Sequence, residues 1–200
     1  MAKTKRRRHP IPVHGKKESI TELRKKARGL SEYGFRINGA TVLMALHAHW
    51  GFGTKKIQNL VRAVRAESLK IKDRADAVEQ VRKRTGWKEY NGLKVVSTAK
   101  FTDEEMLKAR EFQITEIEKG YAALNIVLKE KYRFSLANIK KANDAGQVVR
   151  EMLNEDDPGI TVYCERIRAT FKDMFKCDLD ELFEEELDDD AVFDAVLEID

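Results

Sequence analysis

The residues best placed to do chemistry lie in and after the stretch ALHAHWGFGTKKI, residues 45 to 57. It holds two histidines, His47 and His49, then two lysines, Lys55 and Lys56, with Asn59, Arg62 and Arg65 following. Histidines offer metal ligation, but a helical ligand pair needs spacing i, i+4. At i, i+2 the two side chains point about 200° apart, and no carboxylate stands at ligand spacing, so no metal site is expected. The cations and the asparagine suit a polyanion instead. Asparagine can pair with adenine, and arginine or lysine with guanine or phosphate. The carboxylates between residues 178 and 190 raise a metal-dependent nuclease, but such clusters near a terminus more commonly form a solvated or partner-facing surface. No phosphate-binding loop, dinucleotide fingerprint, nucleophile elbow or HExxH motif is present. A non-enzymatic protein without a cofactor is expected.

These residues need an element to hold them. Val42, Leu43, Leu46 and Trp50 fit one helix from Ala40 to Trp50. Ile57, Leu60, Val61 and Val64 make the apolar stripe of a second helix, with Thr54 as its expected N-cap. Lys55, Lys56, Asn59 and Arg62 then face away from the stripe, with Arg65 near. Gly51 supplies a turn that can take positive φ. The layout matches a helix-turn-helix, whose second helix enters a groove. A purely structural corner is the competing reading.

The corner recurs. LHAHWGFGTKKI, from Leu46 to Ile57, aligns with LKEKYRFSLANI, from Leu128 to Ile139, and more weakly with FKDMFKCDLDEL, from Phe171 to Leu182. Each copy carries an apolar start, an aromatic four residues on and an apolar close. The unequal spacings exclude a regular solenoid. In the first two copies, Trp50, Phe52, Tyr132 and Phe134 read as core plugs rather than base-stacking residues.

The charge is polarised. Residues 151–200 carry 18 Asp/Glu against 4 Lys/Arg, and residues 1–150 carry 34 Lys/Arg against 16 Asp/Glu. A polyanion-binding front and an acidic tail follow. Residues 1–17 form a basic arm with Arg6, Arg7, Arg8, Lys16 and Lys17. A short helix follows, opened by a Ser19/Glu22 capping box and closed at Gly29, with Arg24, Lys25, Lys26 and Arg28 along it. All are candidate nucleic-acid contacts. The segment 188–200 has six acidic residues, no basic one, and an apolar stripe of Val192, Phe193, Val196 and Leu197. That stripe suits docking on a partner or back on the protein itself.

The expected fold is mainly α, a multi-helix protein with helical-corner, helix-turn-helix-like repeats. A further helix is expected over 72–85. One small β-hairpin is expected at 87–97, where Asn91-Gly92 is the type I′ dipeptide. The organisation reads as a flexible basic arm at 1–17, a basic helical domain at 18–100, a second helical domain at 101–187 and an acidic amphipathic tail at 188–200. Cys164 and Cys177 stand apart without a CxxC pattern, which suits thiols in a reducing compartment. No apolar run is long enough to span a membrane, and no signal peptide is legible. A cytoplasmic protein is expected.

The stretch ALHAHWGFGTKKI also resembles a motif of small helical proteins encoded by bacteriophages and prophages of Gram-positive bacteria. They carry an aromatic, then Gly-Phe-Gly, then a basic residue and Ile or Leu. Trp50 replaces the commoner Phe, and Lys56 stands where Arg is frequent. The resemblance covers about 25 of the 200 residues. It implies a phage origin and a bacterial host cell, for a family mostly without assigned biochemistry. Two functions are expected. One is a phage-type regulator or accessory factor that binds DNA or RNA. The other is a protein–protein effector that inhibits or redirects a host or defence nucleoprotein complex, in the manner of an anti-CRISPR protein.

Overall fold

A computed structural model describes residues 39–92, 104–153, 155 and 160–184 of the chain. The fold is mainly α. Helix α1 covers residues 39–50. It is followed by α2 (Thr54–Ser68), α3 (Arg74–Thr85), α4 (Glu104–Glu130), α5 (Leu136–Leu153), α6 (Ile160–Phe175) and α7 (Leu179–Glu184). One hydrophobic cluster runs from Ala40 to Leu182 and draws on residues before and after position 100.

Helices α1 and α4 form its centre. Residues 39–46 are buried without interruption, as are residues 121–128. A helix hidden on every side must be apolar all round, and the small or apolar residues of ATVLMAL and YAALNIVL largely meet that need. The exceptions are Thr41 and Asn125. The Asn125 side-chain oxygen accepts from the Asn143 amide at 2.8 Å, which satisfies it across the α4–α5 boundary. Helices α2 and α3 pack along α4. The stripe Ile57, Leu60, Val61 and Val64 is buried as the spacing predicts, and α3 falls inside the predicted 72–85.

The first two corners are built alike in detail. Residue for residue, 39–64 and 121–146 agree in burial at every position but one, half-buried Asn143 standing where Val61 is buried. Gly51 and Arg133, at the same motif position, both turn left-handed, at φ +63° and +59°. The next residue in each donates its amide to the leucine carbonyl that opens the motif, Phe52 to Leu46 at 3.3 Å and Phe134 to Leu128 at 3.0 Å. In the weaker third stretch Lys176 stands at the glycine position and is also left-handed, at φ +55°. Arg133 and Lys176 hold a conformation that costs a side-chain-bearing residue about 1–2 kcal/mol. The packing on both sides of each turn offsets that cost.

The two matching units face each other across a local two-fold. Trp50 packs on Phe134 with ring centroids 5.4 Å apart, and Tyr132 packs on Phe52 at 5.3 Å. Exchanging the units converts one contact into the other. The Phe52–Phe134 contact, at 6.0 Å, maps onto itself and marks the axis. The same exchange carries the α2–α4 contact onto a contact of α5 with α1. There Gly146 sits so close to Val42 that a β-carbon would lie 2.7 Å from its Cγ2 and 3.0 Å from its Cα. Glycine is required at that crossing.

The expected hairpin is not seen among the described residues, which contain no strand. Residues 87–90 form a turn, with the Tyr90 amide donating to the Trp87 carbonyl at 3.1 Å. Gly92 is left-handed at φ +84° but Asn91 is not, and a type I′ turn needs both. An aromatic pair holds the described part of this segment. Trp87 and Tyr90 stack at 5.1 Å, and the buried Tyr90 hydroxyl donates to Glu118 of α4 at 2.6 Å. Arg82 Nε donates to the Tyr90 carbonyl at 2.6 Å. These anchors hold the segment on α3 and α4. Residues 93–97 lie outside the described residues, as do the basic arm and the helix expected between Ser19 and Gly29.

Candidate nucleic-acid interface

Helix α2 begins differently from expectation. Its N-cap is Gly53, in an extended conformation with no side-chain cap. Thr54 is already helical, and its hydroxyl donates to the Phe175 carbonyl at 2.8 Å. The hydroxyl is therefore taken by the end of α6 instead of the start of its own helix. His47 completes this junction. Its Nδ1 donates to the Phe52 carbonyl at 2.9 Å, and its ring meets Phe175 edge-on at 5.0 Å. His49 is exposed and meets the Trp50 ring at 5.7 Å. The histidines have separate structural surroundings. Among the described residues no three His, Cys, Asp or Glu side chains gather as a metal centre would require.

The predicted α2 residues do share a surface. Lys55, Lys56, Asn59 and Arg62 are exposed and Arg65 is half-buried. The first turn holds no acidic residue, so nothing there offsets the positive end of the helix dipole. Lys56 Nζ stands 3.8 Å above the centre of the Phe52 ring and 5.7 Å from that of Tyr132. The Tyr132 hydroxyl donates to the Lys56 carbonyl at 3.4 Å. The second corner therefore abuts the first turn of α2. Burial raises the Tyr132 pKa, which keeps this hydroxyl a neutral donor. Arg62 and Arg65 also make interactions within the protein.

That contact brings in cations the sequence reading passed over. Lys131 and Arg133 are exposed on either side of Tyr132. Exposed Lys141 places Nζ 5.8 Å from the centre of the half-buried Trp50 ring. The signal for Lys131 and Arg133 lay in the second motif copy, LKEKYRFSLANI, and Lys141 follows two residues after it, where the local two-fold was not visible. By contrast, the face of α5 equivalent to the basic face of α2 has no net positive charge. On α5, Ala137, Asn138, Lys141, Asp144 and Gln147 occupy the positions of Lys55, Lys56, Asn59, Arg62 and Arg65. Four cations thus sit on one of two matched frames, so the shared fold does not demand them.

The remaining candidates, Arg6, Arg7, Arg8, Lys16, Lys17, Arg24, Lys25, Lys26 and Arg28, lie outside the described residues, as do Val192, Phe193, Val196 and Leu197. Cys164 is buried and Cys177 half-buried, both as free thiols, and burial pushes the Cys177 thiol up. No helix among the described residues is long and apolar enough to cross a membrane. No protein-family model, curated protein or solved structure matches the chain.

Proposed function

We propose that the protein binds nucleic acid without catalysing a reaction, laying the exposed face of α2 along the phosphate backbone. One observation carries this reading. Lys55, Lys56 and Arg62 share an exposed α2 surface whose first turn Tyr132 contacts, with Lys131 and Arg133 exposed on either side of Tyr132 in the chain, while the matched α5 face carries one lysine and one aspartate. Asn59 sits among the cations, where its amide can reach a base edge once phosphate contacts have set the register. The basic segment 1–30, with 11 Lys/Arg and 2 Asp/Glu, adds sequence-independent attraction. On this reading the chain is an accessory factor or regulator of phage type, acting in the host cytoplasm.

Polyanion binding of this kind is tested by salt. With about six phosphates neutralised, affinity for a random 30-base DNA or RNA should fall roughly a thousandfold between 50 and 200 mM NaCl. Fluorescence anisotropy of labelled oligonucleotides measures it. A salt-independent affinity, or no binding at 50 mM, overturns the reading.

A further inference from the structure

We propose that the C-terminal segment, residues 185–200, lies across the cationic face of α2 and competes with nucleic acid for it. The inference rests on the reading above only for what the segment displaces. Three observations carry it. The first is the tether. The Thr54 hydroxyl bonds the last carbonyl of α6 at 2.8 Å, beside the start of α2, and α7, which ends at residue 184, packs against α2, so the segment starts from a helix in contact with α2. The second is charge. Residues 185–200 carry eight carboxylates and no cation, whereas the first turn of α2 has no acidic residue and Lys55 and Lys56 are exposed there. The third is reach. Sixteen extended residues span up to about 50 Å, and α2 is about 22 Å long. The segment can cover the face with chain to spare.

A tethered polyanion acts at an effective concentration set by its linker, in the millimolar range for a short one. Weak ion pairing then suffices to compete with loosely bound nucleic acid, while a tightly bound target displaces the segment. The device raises selectivity by suppressing weak, sequence-independent binding.

The test uses the full chain and its variant Asp188→Asn, Asp189→Asn, Asp190→Asn, Asp194→Asn. These changes leave Val192, Phe193, Val196 and Leu197 intact. Without nucleic acid, amine-labelling rates read by mass spectrometry should rise severalfold at Lys55 in the variant and stay unchanged at Lys83 of α3. Affinity for a random 30-base DNA should rise about tenfold at 50 mM NaCl, with a smaller gain at 200 mM, where screening is stronger. Equal Lys55 labelling in both chains overturns the proposal, because an association through the apolar stripe alone would survive the substitutions. Protection of Lys55 that fades on dilution also overturns it, since a neighbouring copy then supplies the acid. If Lys55 becomes more reactive while neither chain binds nucleic acid, the contact stands and the nucleic-acid reading falls.

Discussion

Phe52→Ala should lower stability by about 3–5 kcal/mol. Phe52 is 1% exposed, and its ring meets Tyr132, Phe134 and the Lys56 ammonium together. The cavity opens on the local two-fold, where both corners meet, so no single helix can shift to fill it. In a chain of this size the loss corresponds to roughly 10 °C in Tm. The sharper test is the cycle with Phe134→Ala. Because the two rings touch, the double variant should cost less than the two single losses combined, by about 1 kcal/mol or more. Urea melts measure all four chains. Additive losses, or a Phe52→Ala cost under about 1 kcal/mol, contradict the paired-corner architecture.

Arg84→Leu should be nearly as damaging, at about 2–3 kcal/mol at neutral pH. Arg84 of α3 donates to Glu67 of α2 and, at 2.8 and 2.6 Å, to both carboxylate oxygens of Glu130 of α4. One guanidinium thereby ties three helices. Its own pKa is raised, chiefly by the Glu130 hydrogen bonds. Removing it leaves the buried Glu67 carboxylate with the exposed Lys70, at 3.5 Å, as its ion-pair partner among the described residues. The partial exposure of Arg84 and Glu130 holds the figure below that of a fully buried pair. The pH dependence has a definite sign. Arg84 lowers the Glu130 pKa, so this stabilisation is present above the unfolded carboxylate range and is lost as pH falls through the folded value. The stability gap between wild type and Arg84→Leu should therefore narrow below about pH 4. A gap that widens in acid, or is absent at pH 7, rules out this role.

Much of the helical layout was legible because its causes are local. The α2 stripe follows from spacing alone, and the first two corners share aromatic and leucine positions that their backbones repeat. What escaped depends on distant partners. Thr54 has the chemistry of an N-cap, but Phe175, far along the chain, takes its hydroxyl. Asn91-Gly92 has the composition of a type I′ turn, but Asn91 is not left-handed, and the Tyr90–Glu118 bond and the Trp87–Tyr90 stack hold residues 87–90 as a turn on α4. Lys131 and Arg133 flank Tyr132, whose contact with Lys56 joins the second corner to the first turn of α2. Spacing along one helix cannot reveal a neighbour contributed by its two-fold mate.

That two-fold also supplies the control for the central claim, that the α2 face binds nucleic acid. Lys55→Gln with Lys56→Gln lowers the net charge by two. Ala137→Glu with Asn138→Glu does the same at the matched positions of α5. The deciding measurement is the affinity of both variants and wild type for one labelled 30-base DNA at 50 mM NaCl, on chains confirmed folded by circular dichroism. The α2 variant should bind about tenfold more weakly than wild type, and the α5 variant within about twofold. Equal losses in the two variants would mean that binding follows net charge and not a face, and would contradict the assignment of α2.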